Sequence, residues 1–297
     1  MRFIHLTDPH LSSLSDCSLF SLYGKRWSGY LSWTYKRQRI YRRDTLDLLI
    51  AAVHAEAFDQ LILSGDLVQI GLEREIREAG EWLSELAAPG QVFFVPGNHD
   101  VYAADSWAAI RRHWKSVLPE SPHDRRDSSI SAYPFVRDLG TVRLIGASSA
   151  CVTPVFSSRG ALGQDQIDRL IALMQESHES GMLPCIAIHH PPLPHMSPWT
   201  KALKESRLFR SVIARHQPSL VWCGHQHQNL EAIEGKTRVF CTASASSNRN
   251  ASYRVFDIDP VTKGGRQGWN IHMCLKRLST DRSGFKVERE VRWSFNF

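Results

Sequence analysis

Five short apolar runs in this chain each stop at a knot of polar side chains able to hold a metal ion or move a proton. Arg2–Leu6 leads into Thr7-Asp8-Pro9-His10, Gln60–Leu63 into Ser64-Gly65-Asp66, and Gln91–Val95 into Pro96 and Gly97-Asn98-His99-Asp100; Cys185–Ile188 leads into His189-His190-Pro191-Pro192, and Leu220–Cys223 into Gly224-His225-Gln226-His227. Runs this short and apolar read as buried strands, and the glycine or proline after each marks a sharp reversal of the backbone. That repetition constrains the fold. In α/β sheets the residues just past the carboxyl ends of the strands gather along one edge, where ligands bind.

Between the runs the chain reads as helices. Leu46, Leu49, Ile50, Val53 and Ala57 recur at helical spacing over Asp44–Phe58, and Leu72, Ile76, Ala79, Leu83 and Leu86 mark a second helix ending at Pro89-Gly90. Trp107, Ile110, Trp114 and Val117 predict a third, followed by a polar loop with Pro119 and Pro122. Gly163–Glu179 and Ala202–His216 are further helices beside a strand at Val142–Ile145. From about residue 237 to 297 strand follows strand: Thr237–Thr242, Tyr253–Ile258, Trp269–Leu275 and Phe285–Arg292. An alternating β/α part with a β-rich end predicts an α/β fold, a two-sheet sandwich flanked by helices. One domain is expected over residues 1–297.

The donors at the strand ends are Asp8, His10, Asp66, Asn98, His189, His225 and His227. Taken alone, Gly97-Asn98-His99-Asp100 also reads as a polar strand-to-helix loop capped by Asn98; its four companions argue for chemistry. None of the donors is a thiolate. The six cysteines form no CxxC pair, and four of them sit in or beside apolar runs, which reads as core thiols in a reducing compartment. Carboxylate, imidazole and amide donors suit Mn²⁺, Fe²⁺/Fe³⁺ or Zn²⁺, and seven exceed what one tetrahedral zinc needs. They suit two ions sharing a bridging carboxylate.

Asp8-x-His10, Gly65-Asp66, Gly97-Asn98-His99-Asp100, His189-His190-Pro191-Pro192 and Gly224-His225-x-His227 resemble, in order and spacing, the motif set of the calcineurin-like metallophosphoesterases. The His-His-Pro-Pro form is similar to the branch containing cyclic-nucleotide and glycerophosphodiester phosphodiesterases. The resemblance implies a four-layer αββα fold and a dinuclear site. Asp8, His10 and His227 would hold one ion, Asn98, His189 and His225 the other, and Asp66 would bridge them. His99 would be the acid for the leaving alkoxide or a donor to the phosphoryl oxygens, with Asp100 orienting its ring. The expected reaction is hydrolysis of a small phosphodiester, a cyclic nucleotide or glycerophosphodiester. An alternative is a peripheral membrane hydrolase of a lipid-linked phosphodiester or pyrophosphate, like the UDP-diacylglucosamine pyrophosphohydrolases. A nucleic-acid-binding protein or nuclease is the alternative from another class.

His190 and His195 are candidates for substrate contact, although alternation along the strand turns His190 away from His189. His5 reads as a satisfied core residue; His54, His113, His123, His178, His216 and His272 read as surface or packing residues. Ser148 and Ser149 end a strand, but nothing in the sequence pairs them with a base.

A second feature lies at about residues 14–43. Lys25, Arg26, Lys36, Arg37, Arg39, Arg42 and Arg43 stand there among Phe20, Tyr23, Trp27, Tyr30, Trp33, Tyr35 and Tyr41, with no acidic residue between Cys17 and Arg43. Three readings are open. Rings and cations without acids match a segment resting on an anionic membrane surface, a grip on single-stranded nucleic acid or a polyphosphate, or a helical pair whose rings pack on the domain while its cations face water. The chain enters its first strand too soon for a signal peptide and has no apolar stretch of about 18 residues. A cytoplasmic protein is expected, peripheral to the inner face of the membrane if the insert binds lipid. No obligate protein partner is evident.

Overall fold

The computed structural model describes residues 1–119, 132–263 and 266–296. Its strands in chain order are β1 (Arg2–Leu6), β2 (Gln60–Leu63), β3 (Val92–Phe94), β4 (Phe135–Leu139), β5 (Val142–Ala147), β6 (Leu183–Ile188), β7 (Leu220–Cys223), β8 (Leu230–Glu234), β9 (Thr237–Cys241), β10 (Ser252–Lys263), β11 (Arg266–Leu278) and β12 (Phe285–Asn296). They form two six-stranded sheets, ordered β12-β11-β10-β1-β2-β3 and β4-β5-β6-β7-β9-β8. The central strands run parallel, β1 beside β2 and β2 beside β3 in one sheet, β5 beside β6 and β6 beside β7 in the other.

Helix α1 (Lys25–Ser32) continues through a π-helical stretch, Trp33–Arg37, into α2 (Gln38–Ile40); α3 (Arg43–His54), α4 (Glu73–Leu86), α5 (Ser106–His113), α6 (Gln164–Glu179) and α7 (Ser206–His216) follow. Successive side chains of a strand point to opposite faces, and that alternation sorts the core into layers. Phe3, Ile62 and Phe93 face the other sheet, where they meet Leu144, Cys185 and Trp222. Ile4, Leu61 and Leu63 face outward onto α3, α4 and α5. On the far side Ile145, Ile186 and Val221 pack on α6 and α7. The result is the four-layer αββα sandwich expected. Strands covered on both faces carry no polar alternation, which is why they read as continuous apolar runs.

The differences lie at edges. β4 and β8 have no counterpart in the sequence reading because each is an edge strand with exposed apolar residues, Val136 on one and Ile233 on the other. The β10–β12 arms outrun their expected lengths, since pairing continues where their faces meet water. The last helix begins at Ser206, not Ala202, because a 3₁₀ turn at Trp199–Lys201 precedes it. His123 and Pro122 lie outside the described residues. All six cysteines are free, four of them buried. Among the described residues no helix is long and apolar enough to cross a membrane.

Candidate metal centre

The ends of β1, β2, β3, β6 and β7 meet along one edge of the sandwich. Asp8, His10, Asp66 and His227 place ligand atoms within 4.8 Å of one another, and those of His189, His190 and His225 lie within the same distance of one another. Asn98 joins the second group, its Oδ1 3.2 Å from His189 Nε2, and Asp66 Oδ2 stands 3.3 Å from the same nitrogen. Asp66 therefore lies where the two groups touch.

The local backbone is bent to bring them together. Asp8, His10, Asp66, His225 and His227 all have positive φ, a conformation that side-chain-bearing residues rarely adopt and that clusters at functional sites. Glycines supply the clearance. A Cβ on Gly97 would strike the Asp66 carboxylate, and one on Gly224 would strike Thr7 and Asp8.

Ring orientation is set from behind. His10 Nδ1 meets the Val68 carbonyl at 3.0 Å and His189 Nδ1 the Ser64 carbonyl at 2.7 Å, so each Nδ1–H donates to the main chain. Donation by Nδ1 to a carbonyl commits Nε2 to the site, as is usual for metal-binding histidines. Among the described residues His10 Nε2 and His225 Nε2 are buried with no hydrogen-bond partner, and Asp66 Oδ2 meets only the His189 ring, at 3.3 Å. Orphaned lone pairs of this kind cost free energy unless an ion satisfies them.

The electrostatics agree. Burial, opposed only in part by Asp66, lowers the His10 imidazole to about 4, and burial with the neighbouring His190 and His189 puts His225 well below its usual value. Both rings are neutral and able to ligate. Burial also works to lower His189, but Asp66 and Asp8 outweigh it and raise the ring to about 10. Two buried carboxylates thus draw a proton onto the nearest ring, and divalent cations would meet the same demand. The donor set fits two such ions.

Three sequence expectations are corrected here. Asp100 does not orient His99: its carboxylate accepts the backbone N–H groups of Asp66 at 2.9 Å, Leu67 at 2.8 Å and Gly97 at 2.8 Å, and so staples two strand ends together. His99 is held instead by the Gln69 carbonyl at Nδ1, with Arg37 Nη1 3.1 Å from the same nitrogen. His190 is not available to substrate. It is fully buried, with Ser149 Oγ 2.8 Å from its Nδ1 and the Ser158 carbonyl 3.1 Å from its Nε2, and its ring leans on His225 because strand alternation ends at Ile188. His195 faces a different cavity, lined also by Asn229, Leu230 and Arg289.

The basic insert is also redistributed. Trp33, 7% exposed, packs with Leu14, Leu22, Ile70 and Tyr102. Arg26, 2% exposed, pairs with Asp105 at 2.8 Å and donates to the Ile70 and Gly71 carbonyls. Arg37 is buried between the Gly29 and Gln69 carbonyls. Lys25 is bound to Thr153 Oγ1 and the Ser157 carbonyl, Arg42 pairs with Asp44, and Arg43 with Asp47. Trp27 remains exposed, and Lys36 and Arg39 line a cleft of about 1260 Å³ that also exposes Asp66, Asn98, His99, His225 and His227. The insert therefore forms a wall of this cleft.

Tyr41, which nothing in the sequence singled out from the other rings, completes the site. Its hydroxyl lies 2.6 Å from His227 Nδ1, and its ring stacks on His10 with centroids 4.3 Å apart. His5, as expected, is a satisfied core residue, between Ser64 Oγ at 2.8 Å and Thr242 Oγ1 at 2.9 Å.

Known proteins are similar to this chain in sequence and in fold. The 3′,5′-cyclic adenosine monophosphate phosphodiesterase CpdA of Vibrio vulnificus is 26% identical over 90% of this chain and 84% of its own length. The glycerophosphodiester phosphodiesterase GpdQ of Enterobacter lignolyticus is 26% identical over 63% of this chain and 62% of its own. A dimetal phosphatase from Danio rerio has the same fold, with a TM-score of 0.64 at 14% identity over 100% of this chain and 99% of its own. The family profile described as calcineurin-like phosphoesterase matches residues 1–229. The chain therefore belongs to the calcineurin-like phosphoesterase family and is a metal-dependent phosphoric ester hydrolase.

Proposed function

We propose that the chain hydrolyses a small phosphodiester, of the cyclic-nucleotide or glycerophosphodiester class, with residues 1–297 acting as one catalytic unit. The observation that carries this reading is the convergence of Asp8, His10, Asp66, Asn98, His189, His225 and His227, with the buried Nε2 atoms of His10 and His225 left unpaired among the described residues. The preference for a diester rests on the relatives, a cyclic AMP phosphodiesterase and a glycerophosphodiesterase.

Asp8, His10 and His227 would hold one divalent ion, Asn98, His189 and His225 the other, with Asp66 as the carboxylate common to both groups. Such a pair, when bound, supplies charge neutralisation at the phosphoryl oxygens and a water acidic enough to attack at neutral pH. The Val68 and Ser64 carbonyls and Tyr41 keep the rings aimed. His99 lines the cleft with Nδ1 occupied by Gln69, so Nε2 is the atom that moves a proton. Burial and Arg37 hold the free ring well below its usual value, although Asp66 opposes them. An anionic phosphodiester beside the ring shifts it upward again, the direction a donor to the leaving alkoxide needs.

The test uses protein stripped with a chelator and reloaded with Mn²⁺. Hydrolysis of 3′,5′-cyclic AMP and bis(4-nitrophenyl) phosphate should exceed that of 4-nitrophenyl phosphate and vanish on chelation. A faster monoester would make the chain a phosphomonoesterase.

A second reading, action at an anionic membrane surface, is favoured by one observation. Tyr23, Trp27, Leu31 and Tyr35 recur every four residues on the outer side of the insert, all exposed, and Phe156, 94% exposed, stands in the lining of the same cleft. Co-sedimentation with phosphatidylglycerol vesicles but not phosphatidylcholine vesicles would support it, and recovery in the supernatant with both would remove it.

A further inference from the structure

Among the described residues, the cleft that exposes the candidate metal centre is lined by seven basic side chains and one carboxylate, that of Asp66. Three of the cations are committed: Lys25 to Thr153 and Ser157, Arg37 to backbone carbonyls, and Arg277 to Glu288 at 2.9 Å. The other four, Lys36, Arg39, Lys201 and Arg249, are exposed and have no hydrogen bond or ion pair from their side chains among the described residues.

Three of those four are grouped on one wall. Lys36 and Arg39 lie about one helical turn apart at the end of the insert. The insert is bolted to the loop that carries Arg249: Asn248 donates from Nδ2 to the Arg39 carbonyl at 2.8 Å and from its main chain to the Ile40 carbonyl at 2.8 Å. On the other side of Arg249, Asn250 Nδ2 donates to the His227 carbonyl at 3.0 Å. Arg249 thus stands between the insert and a strand end of the metal centre, and Lys201 stands on the segment that packs against Ser158 through the Thr200 carbonyl. A cyclic nucleotide carries a single negative charge, which the metal centre already meets. Like charges held together in a cleft raise its positive potential, and that arrangement draws in a ligand with further negative charge.

We propose that Lys36, Arg39 and Arg249 form a second anion subsite, which selects phosphodiesters carrying an additional phosphate group beyond the scissile one. The inference rests on the phosphodiesterase reading of the same cleft. It deepens that reading by naming the substrate class: a diester of at least two phosphates, with the second bound by the insert.

The experiment compares two chromogenic diesters on Mn²⁺-loaded protein, thymidine 5′-(4-nitrophenyl phosphate) with a free 3′-hydroxyl and the same ester with a 3′-phosphate. The ratio of their kcat/KM values should be roughly tenfold in favour of the 3′-phosphate, carried mainly by KM, and should shrink at high salt because exposed charge contacts are screened. In the variant Lys36→Ser/Arg39→Ser/Arg249→Ser the ratio should fall to about one, and because both esters are read on the same protein, a loss of folded enzyme cancels. A second arm adds phosphatidylglycerol or phosphatidylcholine vesicles to the parent and the variant. Inhibition by the anionic vesicles alone, lost in the variant, would assign the second phosphate to a lipid headgroup and support the subsite. A parent ratio of one with no vesicle inhibition overturns the proposal, as does a ratio or inhibition that survives in the variant. Failure of both esters to release nitrophenolate would overturn the phosphodiesterase reading itself.

Discussion

The hydroxyl of Tyr41 and Nδ1 of His227 lie 2.6 Å apart across 186 positions of sequence. The contact ties the basic insert to the metal centre through a ring that also stacks on His10. Tyr41→Phe keeps the stack and removes the bond. Loss of the hydroxyl that orients His227 is expected to weaken Mn²⁺ binding by roughly tenfold. Calorimetric titration of chelator-treated protein checks this, and an unchanged affinity would leave Tyr41 a packing residue.

Asp66 and His99 separate metal binding from proton transfer. Asp66→Ala should lose both ions, because its carboxylate adjoins both donor groups. Elemental analysis finding two metals per chain in that variant would refute the bridging role. His99→Ala should keep its metals while turnover falls by about two orders of magnitude. Turnover equal to the parent's would take His99 out of the mechanism.

Glu75 links stability to the site. This fully buried carboxylate accepts the main-chain N–H groups of Gln69 at 2.7 Å, Ile70 at 3.1 Å and Leu72 at 3.0 Å, and the carbonyl of Gln69 is what holds His99. Glu75→Ala leaves those donors unpaired in the core. A loss of about 3 kcal/mol is expected, with reduced turnover in the protein that remains folded. Denaturant unfolding and single-turnover kinetics measure the two effects; a stable variant with full turnover would show the loop to be self-supporting.

Lys25 makes stability depend on pH in a defined direction. Burial lowers its ammonium to about 8 from the ordinary 10.5. The folded value lies below the unfolded one, so the unfolded chain binds more protons between them. The cost of burying the charge is full below about pH 8 and fades as pH rises to 10.5. Stability of the parent relative to Lys25→Met should therefore rise across that window. A difference that stays flat in urea titrations would place the ammonium in solvent.

The five knots after strand ends were readable because each is local: an apolar run, a reversal, then donors. Asp8, His10, Asp66, Asn98, His189, His225 and His227 needed no tertiary information to be singled out, and a two-sheet sandwich flanked by helices followed from the order of runs and helices. Asp100 was misread because adjacency in sequence placed it beside His99, whereas its carboxylate found the amides of residues 66, 67 and 97. His190 was a candidate for substrate contact although alternation turned it from His189, and the fold gives its imidazole to Ser149 and Ser158.

The insert marks the boundary between the two kinds of knowledge. Its composition determined that rings and cations would share one short segment free of acidic residues, and its distribution of charge set the sign of whatever it faces. Composition carries no direction, however, and direction decided everything else. Trp33 and Arg26 turned into the domain, Arg37 and Tyr41 turned toward His99 and His227, and Lys36 and Arg39 turned into the cleft. Those choices depend on carbonyls and carboxylates supplied by Gln69, Ile70, Gly71 and Asp105. Residues that distant in sequence meet only when β1, β2 and β3 pair side by side and bring together the segments that follow them, so the partners of a buried cation are a property of the folded chain.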